Sequence, residues 1–182
     1  MSKPAVWILI LACGVGPALG VQAPNRDLGS LHARLIREVR HQLLLLPDCS
    51  VFDNLQFEVT DIDTVVLTGQ VTRPILKSST EQAVRKLEGV GKIVNRIEVL
   101  PPSPDDDRLR LATYRAILAK PGLDKYGVLA VPSIHVIVKN GSITLLGVVA
   151  SEADKDLAGL AAREVPGAFQ VSNNLRIENR EN

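Results

Sequence analysis

The chain writes one phrase twice. VVLTGQV at 65–71 returns as ITLLGVV at 143–149, and a shift of 78 positions aligns 65–99 with 143–177 without a gap. Eight of those 35 positions are identical: Leu67/Leu145, Gly69/Gly147, Val71/Val149, Lys77/Lys155, Ala83/Ala161, Arg85/Arg163, Gly89/Gly167 and Asn95/Asn173. Most other apolar positions exchange like for like, as in Val65/Ile143, Ile93/Val171 and Ile97/Leu175. Self-similarity of this kind constrains architecture ahead of any local reading, and two copies are too few for a solenoid. Each copy is therefore expected to be a small domain, and 182 residues suit two of them.

Each copy opens with an amphipathic helix. In the first, Leu28, Leu31, Leu35, Val39 and Leu43 recur at helical spacing, and Pro47 ends the run. In the second, Leu111, Tyr114 and Leu118 make a shorter stripe that closes at Pro121. Phe52 and Tyr126 follow these prolines at the same distance and read as plugs over each core. A hairpin comes next. Asn140-Gly141 is a strong type I′ turn signal, because both central residues need positive φ. Closing the turn there sets Val138 against Ile143, Val136 against Leu145 and Ile134 against Gly147, all on the core face. The first copy has a longer turn at Thr60–Thr64, with Leu55, Phe57 and Val59 facing Val65 and Leu67. A second helix begins at Pro74, a favoured first helical position, and at Ser151, where Asp154 completes a cap-like pattern. Gly89 and Gly167 are expected to stop these helices in left-handed conformation, and the strands NRIEV and NNLRI finish the units. Both copies thus read α-β-β-α-β, with two helices on one face of a three-stranded sheet. The fold class is α+β, with units at 27–100 and 105–178 joined by a proline-rich linker at 101–104.

The quoted VVLTGQV and ITLLGVV, the helix stops EGV and PGA, and the endings VNRIEV and SNNLRI resemble the BON domain, named after an osmotically induced periplasmic protein and nodulation proteins. The resemblance implies secretion to the bacterial periplasm or outer membrane and attachment to phospholipid surfaces. It brings no catalytic motif and no cofactor.

The first residues agree with export. Lys3 precedes an apolar run from Ala5 to Ala12, too short to span a bilayer but suited to a signal peptide. Cleavage after Gly20 is the first choice. Ile10-Leu11-Ala12-Cys13 offers a second processing route, with Cys13 acylated as a lipid anchor. Cys49 is the other cysteine, so neither a disulfide framework nor a zinc site is indicated. His32, His41 and His135 are too scattered for metal. Asp61 and Asp63 form a D-x-D pattern in a turn, where Asp serves local backbone bonding. GVGK at 89–92 lacks the spacing of a phosphate loop, and Asp105-Asp106-Asp107 reads as a solvated helix start. No catalytic set emerges, and neither an enzyme nor a small-molecule substrate is expected.

Charge narrows the partners. The chain has 21 Lys+Arg against 20 Asp+Glu, with 3% aromatic residues. That balance argues against nucleic acid, which favours basic excess and aromatic stacking platforms. Attraction to a phospholipid surface requires a segregated patch, and the first helix offers Arg34, Arg37 and Arg40 with His41. The back of the second sheet carries His135, Ile137, Leu146 and Val148, more apolar than its counterpart Glu58, Thr60, Val66, Thr68 and Gln70. Such a face is a candidate contact with the first unit or another protein. The expected function is a non-catalytic binding module of the cell envelope, attaching to phospholipid or envelope components, with a link to osmotic or envelope stress. The alternative is a protein–protein adaptor in a secretion or envelope assembly, using the second sheet face.

Overall fold

A computed structural model describes residues 25–178 apart from positions 62 and 130, with side chains from 29 onward. The signal segment at 1–20, Cys13 and the side chain of Leu28 lie outside the described residues. The first unit comprises α1 (Asn25–Leu44), β1 (Asn54–Thr60), β2 (Thr64–Val71), α2 (Pro74–Arg85), β3 (Lys92–Asn95) and β4 (Glu98–Val99). The second comprises α3 (Pro104–Leu118), a 3-10 turn (Asp124–Gly127), β5 (Ile134–Lys139), β6 (Ser142–Val149), α4 (Glu152–Arg163) and β7 (Gln170–Ile177). The chain is α+β, with four helices and two sheets.

Both hairpins have the register read from the sequence. Ile134 pairs with Gly147, Val136 with Leu145 and Val138 with Ile143. In the first unit Phe57 pairs with Leu67 and Val59 with Val65. A helical crossover then returns the chain parallel to the hairpin's second strand, so β3 and β4 follow β2, and β7 follows β6. The last strand of the first unit is broken at Arg96–Ile97, giving a four-stranded sheet where three strands were expected. The break is bridged: Arg96 N donates to Leu67 O at 2.8 Å, and Ile97 N to Asn95 Oδ1 at 3.1 Å.

The shared asparagine explains itself here. Asn95 Nδ2 donates to Lys77 O at 3.0 Å and Asn173 Nδ2 to Lys155 O at 2.7 Å, tying the last strand to the second helix in each unit. Two separate cores result. One gathers Leu35, Val39, Val65, Leu67, Val71, Leu76, Val84 and Ile97. The other centres on Ile117, Leu123, Val136, Val138, Ile143, Leu145 and Leu175, with Ala158, Ala161 and Ala162 letting α4 approach the sheet closely. Burying one such aliphatic side chain stabilises by about 1.5–3 kcal/mol.

Four details depart from expectation. On α3 the buried face is Asp106, Leu109, Arg110, Thr113 and Ile117, and Leu111 is exposed. The helix is turned by polar ties: Asp106 accepts from Asn140 N at 2.9 Å and Gly141 N at 2.8 Å, and Arg110 Nη2 donates to Val138 O at 2.7 Å. Asp106 is consequently buried rather than solvated. Phe52 plugs not its own core but the second unit's, meeting Tyr114 edge-on with ring centroids 6.0 Å apart. Gly89 and Gly167 have φ of 87° and 92°, yet the helix C-caps proper are Lys86 and Glu164 in ordinary right-handed conformation. The glycines act three residues later, turning the chain toward the final strand. Finally, Ser103 is the N-cap of α3, accepting from Asp106 N, and Pro104 is already helical, which leaves Pro101 and Pro102 between the units.

Candidate functional site

The exposed side of α1 carries the basic candidates, and they divide into two kinds. Arg34 Nε binds Glu38 at 2.7 Å and its Nη2 binds Glu88 at 3.1 Å. The Glu38 hydrogen bond, then the two carboxylate charges, raise the guanidinium's pKa. Arg34 is thereby committed to a surface clamp between α1 and the end of α2. Arg37, Arg40 and His41 are exposed, and no hydrogen bond or ion pair joins their side chains to another described residue. They recur at three- and four-residue spacing, so they share one face of the helix. Leu44, one turn further, continues that face, and both Leu44 and Leu45 are exposed.

The end of α1 borders a cavity of about 310 Å³ between the units, lined by Leu43, Leu44, Leu46, Pro47, Val131 and His135 among others. Cys49 lies on its wall. Burial, then the charge of Asp53, pushes the Cys49 thiol up to about 11, which leaves it protonated and a poor nucleophile near neutral pH.

The back of the second sheet meets the first unit. Ile137 is only 5% exposed. Together with Leu146 and Thr144 it borders a cleft of about 330 Å³ whose other wall includes Asn54, Gln56 and Gln70. His135 and Val148 are half-buried. Three further ties span the seam: Val136 N donates to Val51 O at 2.8 Å, Lys139 Nζ meets Glu98 Oε1 at 2.5 Å, and Phe52 packs on Tyr114. The free edge of β5 is thus capped by backbone from the first unit, one way of protecting an edge strand.

Asp53 organises that seam. Fully buried, it accepts from Ser50 N and Oγ at 2.9 and 2.6 Å and from Thr72 N and Oγ1 at 2.7 and 2.9 Å. These four bonds hold the 48–53 loop on the end of β2. His135 faces this loop. Burial lowers its pKa below the usual imidazole range, against the opposing pull of Asp53, and its Nδ1 is buried without a partner.

A cleft of about 630 Å³ lies beside Ser103, Asp106, Arg108, Asn140 and Phe169. Its polar groups are already employed in the α3 cap and the hairpin tie. Asp61 occupies a left-handed turn position at φ 55°, and Asp63 O accepts from Gly91 N at 2.9 Å and Lys92 N at 3.2 Å, so this D-x-D pattern is a folded turn. Among the described residues no three metal-ligating side chains gather, and no helix is long and apolar enough to cross a membrane. Sequence reasoning missed the loop after the 3-10 turn, where Val128, Leu129 and Val131 are exposed. The signal was present in GVLAVPS, an apolar run where a loop is normally polar.

Comparison with known proteins addresses the fold. The family model for the BON domain matches twice, at residues 33–101 and 105–179. No curated protein matches the chain. Among solved structures it is similar to CdsD, a structural protein of the type III secretion system of Chlamydia trachomatis, at TM-score 0.32 and 12% identity over 80% of this chain and 92% of that one. It is also similar to the C-terminal domain of CdsD from the same organism, at TM-score 0.31 and 14% identity, covering 79% and 97% of the two chains. Likenesses this faint carry no argument about function. Two matches along most of its length, on two units of like topology, place the chain in the BON-domain family, a family of non-enzymatic binding domains.

Proposed function

We propose that the protein is an exported, non-catalytic module of the bacterial cell envelope that attaches to anionic phospholipid surfaces through the exposed face of α1. One observation carries this reading: Arg37, Arg40 and His41 stand unpaired on a single helical face in a chain whose charges otherwise balance. A cation adjacent to an anionic leaflet contributes about 1 kcal/mol, so the two arginines supply about 2 kcal/mol, or roughly thirtyfold in affinity. Arg34 belongs to the candidate patch by position but contributes less, since Glu38 and Glu88 neutralise it. Export by a cleaved signal at 1–20, or anchoring at Cys13, would bring this face to a membrane. The intact mass of the mature protein distinguishes the two routes.

The test is co-sedimentation with vesicles. Binding to vesicles containing anionic lipid should fall as salt rises, and vanish with purely zwitterionic lipid at moderate salt. Arg37→Glu with Arg40→Glu should abolish binding at low salt while leaving the urea midpoint unchanged. Retained binding by that double variant would discard α1 as the attachment face. The adaptor reading draws less support, because Ile137 and Leu146 of the second sheet face are turned toward the first unit.

A further inference from the structure

Eleven large hydrophobic side chains are exposed among the described residues, and five of them lie on two segments that reach one cavity at the seam. Leu44 and Leu45 end α1 at 54% and 60% exposure. Val128, Leu129 and Val131 occupy the loop before β5 at 84%, 49% and 51%. Leu44 and Val131 line the same cavity, so each unit contributes one segment of an apolar edge at its rim. Building on the attachment proposed above, we infer that this edge inserts into the hydrocarbon boundary of an anionic leaflet, with the α1 cations at the headgroups above it.

The placement of charge selects a lipid surface. An α-helix rises 1.5 Å per residue, so Arg37, Arg40 and His41 stand about 5–12 Å along the axis from Leu44 and Leu45. That spacing matches the depth to which interfacial segments bury their apolar side below the headgroups. The loop at 128–133 carries no charged residue. The edge is made of Leu and Val alone, whereas the energetic centres of protein interfaces are rich in Trp, Tyr and Arg.

The loop is also held in readiness at both ends. Before it, Tyr126 Oη donates to Asp154 Oδ2 at 2.7 Å and accepts from Ala150 N at 2.8 Å. Lys125 Nζ reaches the same Asp154 oxygen at 2.9 Å. After it, Val148 N donates to Ser133 O at 2.9 Å. Apolar side chains on a fixed stalk enter a membrane at smaller entropic cost than the same residues on a loose loop.

Trp7, the chain's one tryptophan, lies in the segment that either processing route removes, so the mature protein gives a dark background. On it, Leu45→Trp and Leu129→Trp report from each half of the edge, and Phe169→Trp, beside the Asn140-Gly141 turn at the opposite end of β5, serves as the exposed control. Added to vesicles of mixed zwitterionic and anionic phospholipid, both edge probes should shift to the blue and be quenched by lipids brominated on the acyl chain. The control should do neither. Leu44→Ser with Leu45→Ser should lose at least tenfold in vesicle affinity. Bound protein with neither edge probe quenched overturns insertion while leaving attachment by α1 standing. Quenching of one probe alone overturns the joint edge. A concentration-dependent blue shift without vesicles means that a second copy covers the edge, which also overturns the inference. Failure of every form to bind vesicles removes the attachment reading itself.

Discussion

Gly69 and Gly147 hold φ of 114° and 121°, and a methyl group on either would stand 1.9 Å from Asn54 O or 2.0 Å from Ser133 O. These are backbone atoms of the neighbouring strand or its approach, so no side-chain rotation relieves the overlap. Gly147→Ala must separate β5 from β6 as well as strain the backbone, and should cost at least about 3 kcal/mol in urea unfolding. Gly167 has a similar φ of 92° but open space around its Cβ direction. Gly167→Ala should therefore cost only the left-handed penalty of about 1–2 kcal/mol. The repeat made both glycines conspicuous in the sequence. Their different roles were not legible, because the close carbonyl appears only once the strands are paired. His135 makes a second argument at this scale. With its folded pKa below the unfolded value, the unfolded chain binds more protons as pH falls through about 6.5. The stability contributed by a neutral His135 is thus fully present above that pH and declines as pH falls from about 6.5 through its lower folded value. Urea midpoints measured across this range should drop for the native chain and drop less for His135→Phe. Equal slopes would remove His135 as the cause.

Among the elements, α3 shows where pattern reading succeeds and where it stops. The β5–β6 register followed from Asn140-Gly141 because turn conformation is local and sets every pairing after it. The face of α3 did not follow, because hydropathy assigns Asp106 and Arg110 to solvent, and only the tertiary fold supplies acceptorless turn amides for Asp106 and the Val138 carbonyl for Arg110. The same limit hid the break at Arg96–Ile97, where side-chain and backbone bonds replace a regular ladder. Asp106 closes the hairpin turn from outside the hairpin, so its carboxylate is a structural part of the β5–β6 connection. Asp106→Ala leaves two turn N–H groups without their acceptor and should destabilise by about 2–3 kcal/mol. Asp105→Ala, whose carboxylate meets only the exposed Arg108, should change stability by less than about 0.5 kcal/mol. Chemical denaturation of the two variants side by side separates these outcomes, and similar losses would mean that the acidic run acts only through the helix dipole.

At the scale of the molecule, duplication alone would give two beads on a string, and the seam makes them something else. Each unit has its own hydrophobic core. Yet Phe52, carried by the first, packs against the core of the second, and Val51 O completes an edge bond of β5. The copies have diverged at this point: Phe52 crosses the seam, whereas Tyr126 stays within its unit and bonds Asp154. That divergence fixes the relation of α1 to the loop at 128–131, since both flank the seam and share the cavity beside His135. Truncating Phe52 removes buried ring area and an edge-on aromatic pair, the latter alone contributing about 0.5–1.5 kcal/mol. Phe52→Ala should therefore weaken the second unit although the substitution lies in the first. Hydrogen exchange would show it as faster exchange along β5 and at the Val136 amide, with the β2–β3 ladder protected as before. Loss confined to β1 and β2 would mean that the units are energetically independent, and that the apolar edge they share is held together only by the short Pro101-Pro102 connection.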